Sequence, residues 1–131
     1  MPSSLTTINP GAFCMLNLNS FSFYDSALTI IPQGTLAGCN VNYLEFNDCI
    51  NVIDSYSLTS CTFNQVVIPS TVITINQGAF ADSTFVEGLM FEETSQWIDQ
   101  NSNVITLEAG VDYSQAFSSG EYAELALTKI A

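Results

Sequence analysis

The hexapeptide INPGAF at residues 8–13 returns almost unchanged as INQGAF at 75–80. Two fainter copies fill the gap. Isoleucine stands at Ile8, Ile31, Ile53 and Ile75, a nearly constant period of about 22 residues, within the range of known solenoid repeats. The same period relates Phe13, Leu36, Leu58 and Phe80, then Leu16, Cys39, Cys61 and Ser83, then Leu18, Val41, Phe63 and Phe85. Small residues form another column at Ala12, Thr35, Ser57 and Ala79. Phe23, Phe46 and Ile68 make a sixth, which Phe91 joins if one extra residue sits near Gly88. A unit of this length carrying apolar residues at fixed positions cannot bury them alone. Stacking the units side by side gives a continuous core.

Within each unit LNSFSF (18–23), VNYLEF (41–46) and FNQVVI (63–68) alternate apolar and polar residues, as a strand with one buried face does. PGAF, QGTL, SYSL and QGAF read as a turn followed by an inward apolar residue. Gly11, Gly34 and Gly78 suit a left-handed backbone angle there, but Tyr56 occupies the same column, so the spacing does not demand that angle. Parallel stacking spaces the rungs about 4.8 Å apart.

The pattern I-x-x-x-A-F-x-x-C-x-φ-x-x-φ-x-φ-P resembles the BspA-like leucine-rich repeat family. VIDSYSLTSCTFNQVVIPSTV (52–72) carries it most fully; TIIPQGTLAGCNVNYLEF (29–46) and TINPGAFCMLNLNSFSF (7–23) match well, and TINQGAFADSTFVEGLMF (74–91) matches with an insertion. The resemblance covers about residues 5–94. It implies a β-rich solenoid, a short leucine-rich repeat stack of four repeats, each of about 22–23 residues. It also implies a surface-displayed binding or adhesion role, and relatives among protist surface proteins and phage genomes. For Cys39 and Cys61, on adjacent rungs about 5 Å apart, it implies a ladder of buried thiols; a disulfide between them stays geometrically open. The four cysteines, Cys14, Cys39, Cys49 and Cys61, match no zinc spacing.

Composition narrows the chemistry. The 131 residues hold thirteen Asp and Glu, one Lys (Lys129), no Arg and no His, for a net charge of −12. Phosphate backbones require Lys or Arg, so nucleic acid is excluded as a partner, and an anionic membrane repels the chain. No apolar run has the ~20 residues of a membrane span, and the opening MPSSLTTINP lacks the basic start and apolar stretch of a classical signal peptide. Without His there is no Ser-His or Cys-His pair, and without Arg no bidentate anion clamp. The expected protein is not an enzyme. A carboxylate pair acting on glycans is the distant alternative.

The register stops after residue 96, so residues 1–96 read as the solenoid and 97–131 as a C-terminal β cap or attachment segment. Val104–Leu107, Tyr113–Phe117 and Tyr122–Ile130 read as two or three strands covering the last rung. The alternative is an oligomerisation element, with Tyr122, Leu125 and Leu127 on a chain end able to pair with a partner strand. At the other end nothing obvious caps the first rung. Either Met1–Leu5 folds over it or another chain does.

Candidate ligands are few. Asp25 and Asp48 share a column that Ser70 and Glu93 continue, and oxygen ligands of this kind suit calcium. Solvated turn residues are the simpler reading, and no cofactor is expected. Tyr24, Tyr43, Tyr56 and Trp97 fall off the apolar columns and are expected as surface contacts for a protein partner. The expected function is a non-enzymatic structural or recognition protein on the exterior of a larger assembly. A virion (phage) decoration or fibre-associated component comes first and a cell-surface adhesion module second. The expected location is extracellular. Partners are a protein or a second copy, met through the uncapped first repeat or the C-terminal segment.

Overall fold

The computed structural model describes residues 8–24 and 26–130. Met1–Leu5 and Asp25, both singled out by the sequence, lie outside the described residues. Four rungs stack as the columns require. β1 (Asn17–Ser22), β3 (Asn40–Glu45), β5 (Thr62–Ile68) and β7 (Thr84–Phe85) form one parallel sheet. Register follows the sequence spacing: Leu18 faces Val41, Val41 faces Phe63 and Phe63 faces Phe85. The expected insertion is present. Beyond Phe85 the register slips by one residue, so that β8 (Leu89–Phe91) pairs with β5 as Val66–Leu89 and Ile68–Phe91. Three residues, 86–88, therefore oppose two, 64 and 65, which is a bulge, and Gly88 sits in it at φ 105°.

The second sheet begins with short strands β2 (Ile30–Ile31), β4 (Val52–Ile53) and β6 (Thr74–Ile75), again parallel. The inward Ile31, Ile53 and Ile75 are fully buried. A stack of turns closes the third side, with Phe13 N–H donating to Thr35 C=O, Leu36 to Ser57 and Leu58 to Ala79, each near 3 Å. Leu28, Ile50 and Val72 add a core column at the same spacing that alternation did not mark.

The thiol column has a specific job. Cys39 Sγ donates to Phe13 C=O, Cys61 Sγ to Leu36 C=O and Ser83 Oγ to Leu58 C=O, each reaching one rung back. These side chains satisfy carbonyls that the stack buries, which explains why a small donor recurs there. All four cysteines are free thiols, as the buried-ladder expectation has it for Cys39 and Cys61. Burial pushes the Cys39 thiol up and carries Cys61 to about 12.

The turn column differs from expectation. Tyr56 adopts φ 55°, beside Gly11, Gly34 and Gly78 at φ 70–72°. The left-handed angle is thus kept at all four rungs, and a tyrosine bears the steric cost at one of them. A second left-handed column, Met15, Gly38, Ser60 and Asp82, lies four residues further on.

The C-terminal segment covers the last rung, and of the two or three strands expected there two form, at Val104–Leu107 and within Tyr122–Ile130. β11 (Leu127–Lys129) runs antiparallel to β6, pairing Leu127 with Ile75. β9 (Ser95–Ile98) pairs with β11, and β10 (Val104–Leu107) with β9, giving the order β10-β9-β11-β6-β4-β2. Residues expected as a strand at Tyr113–Phe117 instead enter a short helix, α1 (Ser114–Ser118). It seats Phe117 against Phe80 and Phe91. Cap carbonyls stand in for a fifth rung: Gly78 N–H donates to Ala123 C=O and Asp82 N–H to Ser118 C=O.

Candidate functional site

Where β3 and β5 end, the chain leaves the first sheet through tight loops, and the loops of successive rungs line an open cleft of about 630 Å³. Asn47 builds its wall. Its buried side-chain amide donates to Ser26 C=O and Leu28 C=O and accepts from Cys49 N–H and Ile50 N–H. That locks the loop and turns its neighbour Asp48 outward. Sequence reading missed Asn47. Its signal was an Asx-turn residue just past a strand.

Three carboxylates line the cleft: Glu45 and Asp48 from the second rung and Glu92 from the fourth. Glu45 accepts a short hydrogen bond from Ser22 Oγ on the rung before it, which fixes its direction. Tyr24, 58% exposed, stands at one end, and Val67 and Gln65 face the opening. Among the described residues no cation lines it. Lys129 lies just beyond, its Nζ donating to Glu93 Oε1 at 2.9 Å and to the carbonyl of the cleft residue Ser70 at 3.1 Å. The arrangement offers negative charge, an aromatic face and an aliphatic patch. Beside it runs an amide ladder in which Asn42 Nδ2 donates to Asn19 Oδ1, and Asn64 Nδ2 donates to the carboxylate of Glu87.

The family model for the BspA type leucine rich repeat region matches residues 1–105 in six copies. The chain belongs to the BspA-type leucine-rich repeat family. No curated protein and no solved structure matches it. The family match thus reaches past the four rungs into the β9–β10 hairpin. BspA-type repeats are protein-interaction and structural repeats and not a known enzyme family, and they are often exposed at surfaces. Among the described residues no helix is long and apolar enough to cross a membrane.

In this BspA-type stack the expected contact residues separate. Tyr24 and Tyr43 are exposed, Tyr43 at 61% between its register partners Ser20 and Gln65. Tyr56 is partly spent on its own fold, since its ring covers Gly78 so closely that a Cβ there would collide with it. Trp97 is a correction: it is 1% exposed, on the inner face of β9. Its ring packs edge-on to Phe91 and Nε1 donates to Ser95 Oγ. Leu127 is likewise interior, because β11 alternates inward there to meet Ile75. Tyr122 and Leu125 are half-buried, Tyr122 against Tyr113 and Phe117, so the cap uses them for its own packing. Of the calcium candidates, Glu93 is held by Lys129 and Asp48 borders the cleft. Among the described residues no three His, Cys, Asp or Glu side chains gather closely enough to hold a metal.

Proposed function

We propose that this chain is a protein-recognition module on the exterior of a larger assembly, a virion or a cell surface, and that its cleft takes a basic segment of the partner. The observation carrying this is that Glu45, Asp48 and Glu92 line one cleft with an exposed tyrosine, with no cation among the described residues of the lining. A Lys or Arg side chain laid there meets opposite charge, the Tyr24 face and the aliphatic Val67. Exposed ion pairs are worth only about 0–1 kcal/mol each, so recognition rests on several together and weakens with salt.

The test is binding of a fluorescent oligolysine peptide to two triple variants of equal charge. One is Glu45→Gln, Asp48→Asn, Glu92→Gln; the other is Asp82→Asn, Glu108→Gln, Glu121→Gln, away from the cleft. The cleft variant should lose about tenfold more affinity, or ~1.4 kcal/mol. Equal losses would mean that only net charge attracts the peptide, and the cleft reading fails.

A second reading concerns the first rung. Ile8, Phe13 and Leu18 are only half-buried, whereas the Ile31, Leu36 and Val41 that continue their columns are fully buried. Met15, 77% exposed, and Leu16 flank them. This favours docking of that end into an assembly. An oligomer unchanged by Met15→Lys with Leu16→Lys would exclude it.

A further inference from the structure

The outer surface of the six-stranded sheet is unlike the rest of the molecule. One row of register partners crosses all six strands: Ile30, Val52, Thr74, Thr128, Ile98 and Val104. Every residue in it is β-branched and none is charged. Lys129, the one charged residue in these strands, alternates to the inner side, where it meets Glu93. In a chain of net charge −12 the six strands themselves carry no carboxylate.

The row ends at an open edge. β10 is last in the strand order, paired only with β9 among the described residues. The β9–β10 turn is closed by Asp99 N–H donating to Asn103 C=O. Alternation from that bond puts the main-chain groups of Ile105 and Leu107 toward β9 and those of Val104 and Thr106 away from it. Residues 104–107, VITL, carry no charge, no proline and no bulge, the devices by which edge strands are ordinarily blocked. Val104 is 59% exposed.

We propose that β10 pairs antiparallel with β10 of a second copy across a two-fold axis at Ile105, joining two six-stranded sheets into one. The occupant follows from charge. A basic partner is drawn to the carboxylate-rich surfaces, whereas two copies, each at −12, repel less where strands without carboxylates meet. The register is self-complementary. Val104 of each copy faces Thr106 of the other, each pair exchanging two main-chain hydrogen bonds. Glu108 falls opposite Ser102 of the second copy, so no two acids meet. Four strand residues per copy make a small interface, and the association is weak. It strengthens with salt, which screens the repulsion. Recognition of a basic segment in the cleft weakens with salt, so the two readings stand or fall separately.

The test is light scattering behind size exclusion at protein concentrations up to about 1 mM, at low and high sodium chloride, with amide exchange at Val104 and Thr106 followed in parallel. The expected result is a monomer–dimer equilibrium favoured by salt, with exchange at both amides slowing as concentration rises. Thr106→Pro removes an outward N–H and leaves the β9 ladder intact, so it should give a folded monomer. Val104→Lys should weaken the dimer at least tenfold without a backbone change. A monomer under all conditions, or a dimer indifferent to both variants, overturns the proposal. So does a dimer lost instead on Met15→Lys with Leu16→Lys.

Discussion

Tyr56 holds a backbone angle that L side chains avoid, φ 55°, in a column otherwise filled by glycine. The cost of a left-handed residue with a Cβ is about 1–2 kcal/mol. Some of it is offset where the ring lies over Gly78. The two contributions separate by mutation. Tyr56→Ala keeps the strained angle and loses the ring, whereas Tyr56→Gly loses both. Thermal or urea unfolding should therefore find the glycine variant more stable than the alanine variant by about 1 kcal/mol, the reverse of their usual order. Alanine equal to or above glycine would mean that the angle is unstrained. Ser57, next in the chain, shows a related economy. Its hydroxyl is buried with no hydrogen-bond partner, at a position that is alanine in the first and fourth rungs. The thiols of Cys39 and Cys61, raised by burial, remain neutral at physiological pH and act as carbonyl caps, not nucleophiles.

The cap is joined to the fourth rung partly through one carboxylate. Asp112 Oδ1 accepts from Ser114 N–H at 2.9 Å and from Leu89 N–H at 3.1 Å, and these bonds hold its carboxyl below the usual carboxylate range. A depressed folded value stabilises the protein above the unfolded value, about 3.9, and that contribution is lost as pH falls through the folded value. The stability gap between wild type and Asp112→Asn should be open at pH 7 and close below about pH 4. Unfolding midpoints across that range would show it, and a gap constant with pH would assign the two bonds no charge-dependent role. Repeating elements were legible in the sequence because each column carries one physical demand four times over: Ile31, Ile53 and Ile75 must all be buried, and the slip at Gly88 shows as a broken count. The cap has no repetition to average over. Tyr113 and Phe117 also stand at alternate positions of a strand, and only their four-residue spacing, which suits a helix turn equally, hinted at α1. Trp97 was misplaced for the same reason, since no second rung shows which side of β9 faces inward. The cleft was legible only in part: Asp48 and Tyr24 stood out, but Glu45 and Glu92 share its lining through a rung geometry that spacing alone does not give.

At the scale of the molecule, thirteen carboxylates and one lysine leave nearly every side of the solenoid negative. Only one ion pair, Lys129 with Glu93, is formed among the described residues. Self-repulsion of this size destabilises a compact state, and screening relieves it. The melting temperature should climb by about 3–8 °C, ~1 kcal/mol, between dilute buffer and about 0.5 M sodium chloride, as read by circular dichroism. A flat response would show that the charges are too far apart to matter.

The strand order carries a consequence for how the chain is made. β11, drawn from residues 127–129, lies between β6 and β9, so a strand synthesised after both of its neighbours occupies the middle of the sheet. Until it emerges from the ribosome, β6 offers a nascent chain an unpaired edge and the β9–β10 hairpin has no sheet to join. The rungs can assemble in order of translation, one on the next. That closing step waits for β11, which enters between two pieces already in place, as a keystone does in an arch.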